Sequence, residues 1–149
     1  MKKTLFIAWF AVVTLFAYGM NFGEFVMGSP SKWYHTALSV LYILTWYLFI
    51  LQSGSSRRRL KFSIGWGAGT LAGAILTLLV NLNDAIRVPG IDFPLIIIFL
   101  TPLYGIEAFF TQERFLWASV VNIIVSTGWL VTSAVFLRRI KAGKAGGNS

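Results

Sequence analysis

Few side chains in this chain can do chemistry. One histidine, His35, and five carboxylates are the side chains best suited to acid–base or metal chemistry, and there is no cysteine. Without cysteine there are no disulfides, thiolate metal sites or thiol catalysis. A single histidine makes no metal set. The string Gly65-Trp66-Gly67-Ala68-Gly69 has the glycines of a phosphate loop, but no strand pattern precedes it and no Lys-Ser/Thr follows. No cofactor, metal or nucleotide is expected.

Four of the five acids, Asp84, Asp92, Glu107 and Glu113, fall between Asn81 and Arg114 together with Arg87. Asp84 and Arg87 are three apart and can pair across a helical turn. Glu107 ends an apolar, proline-containing stretch. An ionisable group at membrane depth costs about 2.5–3.5 kcal/mol at a helix centre, which makes it a functional candidate by default. Three residues from Phe110, it also has the position of a plain interfacial residue. Asp84, Arg87, Asp92 and Glu107 are therefore the expected outer-side contacts for a ligand or partner. Enzyme chemistry would require such carboxylates to converge, and none is expected. His35 follows Tyr34 near a membrane–water boundary, the position of a hydrogen-bonded boundary residue or, alternatively, of a sensor of external pH.

The elements that position these residues follow from composition. The chain has 149 residues, 56% hydrophobic and 12% charged, against roughly 25% charged in globular domains. Its net charge of +8 comes with no basic face or RNA-binding motif, so nucleic acid is excluded as a partner. The basic residues flank apolar stretches, as they do in membrane proteins. The pattern predicts an all-α integral membrane protein, a bundle of four transmembrane helices at about residues 4–20, 33–51, 62–82 and 115–137. A disordered basic tail is expected over 141–149. The opening Met1-Lys2-Lys3 and the small-x-small Ala17-Tyr18-Gly19 resemble a secretory signal, but Trp9, Phe10 and Phe16 are bulky for a signal core, and a retained first span is expected.

Residues 93–110 are apolar enough for a fifth span, yet contain Pro94, Pro102, Gly105 and Glu107. Charge decides between the two topologies. Four spans place ten basic residues on one side and three on the other; five spans give seven and six, erasing the positive-inside bias. The segment is therefore expected to be re-entrant or interfacial, with both termini cytoplasmic and all five acids outside. Non-helical backbone at membrane depth is tolerated where protein covers it. Five transmembrane helices are the alternative.

Three further features bear on function. Gly65, Gly69 and Gly73 form a GxxxGxxxG ladder, a glycine zipper that lets another helix approach closely, from the same chain or a different one. Ser119, Asn122, Ser126 and Ser133 lie on one stripe of the last span, which should face the bundle as interhelical glue or line a hydrated path. Arg57, Arg58, Arg59 and Lys61 set topology and are candidate contacts for anionic lipid or an acidic partner.

These features lead to a small multi-pass accessory subunit that contacts other membrane proteins or itself through span three, in a cell membrane of the bacterial cytoplasmic kind. The alternatives are a homo-oligomeric transporter or channel lined by Asn122 and Glu107, and a membrane enzyme using outer carboxylates. No family resemblance is apparent in the residues.

Overall fold

The computed structural model describes residues 3–27, 29–82, 92–110 and 114–145, all within helices or short connections. The order is α1 (Lys3–Met27), α2 (Trp33–Gln52), α3 (Arg57–Leu82), α4 (Asp92–Leu100), a 3₁₀ segment (Thr101–Phe109) and α5 (Arg114–Ala145). Four helices, α1, α2, α3 and α5, are long and apolar enough to cross a membrane, so the chain is an all-α membrane bundle. None contains a proline. Pro30 falls between α1 and α2, where its missing N–H and fixed φ cost least.

Each helix outruns its apolar core. α1 passes through Asn21 and Glu24 to Met27, about two turns beyond the end expected near residue 20. α3 begins at Arg57, so the basic cluster, expected to precede a span at 62–82, forms its first turn and a half. α5 reaches Ala145, inside the stretch expected to be a disordered tail. A helix that has already formed extends at the cost of one residue at a time, so polar residues at its ends are carried along.

The register of α3 on α5 is antiparallel. A Cβ at Gly67 would meet Leu130 at 3.2 Å and the Ser126 carbonyl at 3.7 Å, whereas Thr77 lines a cavity with Ala118, Ser119 and Asn122. Lower residue numbers on α3 thus face higher ones on α5. The core is aromatic. Trp46 stacks on Trp66 at 5.7 Å and on Phe62 at 6.0 Å, tilts onto Trp129 at 5.4 Å, and meets Phe10 edge-on at 5.0 Å. Trp66 Nε1 donates to the Tyr42 hydroxyl at 2.9 Å, satisfying a buried donor.

α4 is nine residues long, about 13.5 Å at 1.5 Å per residue, less than half the roughly 30 Å hydrocarbon core. It runs inward along α3 until Phe99 packs on Gly69 and Trp66. The chain then turns at Pro102, and the 3₁₀ segment returns along α2. Pro102 and Gly105 meet Ser39, Gly105 also meets Thr36, and Glu107 reaches Ser31. The segment enters and leaves at one end of the bundle. The expectation of a re-entrant or interfacial segment is compatible with this path, and α4 by itself is too short to cross.

Candidate functional site

Thr101 through Glu107 of the 3₁₀ segment are all buried, an unbroken run that no other described stretch matches. Nine residues of 3₁₀ helix is long, since poorer hydrogen-bond geometry usually limits such runs to three or four. Side chains of α1 and α2 supply the missing support.

Ser39 is the centre. Its hydroxyl donates to the Pro102 carbonyl at 2.9 Å and accepts the Gly105 amide at 3.0 Å. Thr36 Oγ1 donates to the Gly105 carbonyl at 2.9 Å, so α2 satisfies both backbone groups of Gly105. From α1, Asn21 Nδ2 donates to Pro102 O at 3.3 Å and Ser39 Oγ at 3.4 Å, while its Oδ1 lies 2.7 Å from His35 Nδ1. Asn21, His35 and Ser39 are all fully buried.

These contacts fix protonation. The Pro102 carbonyl can only accept, so the Asn21 amide nitrogen faces it and the amide oxygen faces His35. Oδ1 also only accepts, so His35 Nδ1 carries a proton. Nε2 is buried with no partner among the described residues, and the Tyr104 ring meets the imidazole edge-on at 5.7 Å. His35 is thus a hydrogen-bonded residue within a buried network. At the same end, the Ser31 amide donates to Glu107 Oε1 at 3.0 Å. Lys32 pairs with Glu24 at 3.5 Å; its ammonium is held above the usual lysine range, first by Tyr34 and then by Glu24.

The expected site residues separate. Asp84 and Arg87 lie outside the described residues. Asp92 opens α4. Glu107 is 2% exposed and helps line a cavity of about 40 Å³ together with Asn122, Thr77, Ser119 and apolar neighbours including Leu100 and Leu103. The cavity has room for water-sized molecules only. Asn122 Oδ1 is buried with no partner among the described residues. The Ser119, Asn122, Ser126 and Ser133 stripe faces the bundle, but the Ser126 hydroxyl donates to the carbonyls of Asn122 and Ile123 within its own helix.

The glycine ladder divides as well. Gly73 is buried. Gly69 receives Phe99, whose ring occupies the space a Cβ would need. Gly65 has nothing within 4 Å of its Cβ position, and Ala68 and Ala72 beside it are exposed. Arg57, Arg58 and Lys61 are exposed and Arg59 partly so.

Sequence reasoning missed Asn21, Ser39 and Thr36. Asn21 had a signal: it continues the buried α1 positions Phe6, Val13 and Ala17 at helical spacing. Among the described residues no group of three metal-ligating side chains forms. The arrangement holds backbone in place. Comparison of the chain with known protein families, with curated proteins and with solved structures finds no match.

Proposed function

We propose that this is a small multi-pass accessory subunit of a cell membrane, acting through helix contacts with another membrane protein. The observation that supports it is the open side of α3. Gly65 has no neighbour, and Gly65, Ala68 and Ala72 fall on one exposed helix face. Small residues four apart let a second helix approach closely enough to gain dispersion contacts along the backbone. Around Leu15 on α1 and Leu44 on α2 the exposed residues are bulky; Gly19 of α1, like Gly65, has nothing within 4 Å of its Cβ position.

In this reading the re-entrant segment is a scaffold. It fixes the end of the bundle opposite the Arg57–Lys61 cluster, with the basic end and both termini cytoplasmic by the positive-inside rule. Gly65→Leu leaves the monomer intact, because the position is open, and removes the partner. Purification in mild detergent followed by native mass spectrometry reads this directly. The expected result is a hetero-complex in the wild type that the variant lacks; an unchanged complex removes α3 as the docking face. A small homo-oligomeric transporter or channel is the second reading, favoured by the meeting of Glu107 and Asn122 at one cavity. It requires a symmetric homo-oligomer, and flux that Glu107→Gln abolishes.

A further inference from the structure

We propose that the basic end of the protein binds the headgroups of anionic phospholipids, held between the first turn of α3 and the Arg138–Arg139 turn of α5. The inference is independent of the protein partner proposed above and rests on the membrane bundle itself. The two clusters are some eighty residues apart in sequence, but the antiparallel register brings them level: Gly67 packs on Leu130 and Gly54 on Phe136, so Arg57 comes level with Arg138. Arg57, Arg58, Lys61, Arg138 and Arg139 are exposed. Among the described residues no carboxylate pairs with any of them; the one ion pair, Lys32–Glu24, is elsewhere.

The local electrostatics call for an anion. α3 has no acidic residue in its first turn and carries three arginines there, where the positive end of the helix dipole repels them. Setting topology requires basic residues on one side of the membrane; it does not require two clusters to meet at one place. The ligand class follows from the surroundings. Phe62, which follows Lys61, and Val135, one turn before Arg138 and Arg139, are 52% and 42% exposed. A molecule that places phosphate on the arginines and acyl chains on this apolar rim fits both. Guanidinium groups bind phosphate oxygens in bidentate fashion, which favours arginine over lysine in this role.

The test uses the full chain in nanodiscs of equal phosphatidylglycerol and phosphatidylcholine, with co-purifying lipid quantified by mass spectrometry after transfer to detergent. The wild type should retain phosphatidylglycerol preferentially. R57Q/R58Q and R138Q/R139Q should each reduce that preference, by about five-fold per residue removed, while K32Q at the other end should leave it unchanged. R57K/R58K, which preserves charge and fold, should retain an intermediate preference. Equal retention of both lipids by the wild type, or wild-type preference in both glutamine pairs, overturns the proposal. Displacement of the lipid by millimolar inorganic phosphate would identify a free-phosphate site instead and also overturn it.

Discussion

The backbone of Gly105 rests on the peptide between His35 and Thr36. A Cβ at residue 105 would overlap the His35 carbonyl group and the Thr36 amide nitrogen. The same glycine has its N–H on Ser39 and its carbonyl on Thr36, so the return limb of the re-entrant segment is held at contact distance along α2. Backbone atoms cannot move aside as a flexible side chain can. Only glycine fits.

Gly105→Ala should therefore be costly for so small a change. Overpacking a filled site costs about 1–3 kcal/mol, and the obstruction here is backbone, so the upper end is expected. Thermal unfolding in detergent should show a clear loss of stability, and a cysteine at Phe109 should react faster as the limb loosens.

Asn21→Leu should destabilise the same limb by a different route. It strips the acceptor from the buried His35 Nδ1–H, at about 1–3 kcal/mol for an orphaned group, while Pro102 O loses one of its two donors and keeps the Ser39 hydroxyl. The N21L/H35L double variant should recover part of the loss, because the imidazole N–H left without an acceptor is then gone. Full additivity of the two single losses would show that the residues are not coupled.

Gly69 and Gly65 should respond oppositely. Gly69→Leu collides with Phe99 and should lower thermal stability by about 1–3 kcal/mol, with partial rescue in G69L/F99A. Gly65→Leu should leave stability unchanged. Equal losses at both positions would mean that the ladder packs as one unit.

Impermeant thiol labelling in intact cells checks the crossings, since there is no native cysteine to mask. A cysteine at Ser55, exposed at the basic end, should be protected, and one at Phe109, exposed at the other end, should react. Reaction at both would exclude the orientation proposed above.

Hydropathy made the four long apolar helices legible, and the prolines made the break between α4 and the 3₁₀ segment legible. What could not be read was which residues the reversal would meet. Asn21 broke an apolar run and so read as a helix end, although its spacing from Val13 and Ala17 continues the buried stripe. Ser39 and Thr36 are unremarkable in an apolar helix, and only contact with Gly105, over sixty residues away, gives them a role. The ladder announced close packing without saying that a phenylalanine would fill one step and leave another bare.

The bare step carries the functional claim, and crosslinking tests it most directly. A photoreactive residue at Ala68, activated in native membranes, should yield one protein adduct of defined mass, absent in Gly65→Leu, whereas the same probe at Leu15, 71% exposed on α1, should yield lipid adducts alone. Lipid adducts alone at both positions would contradict the account.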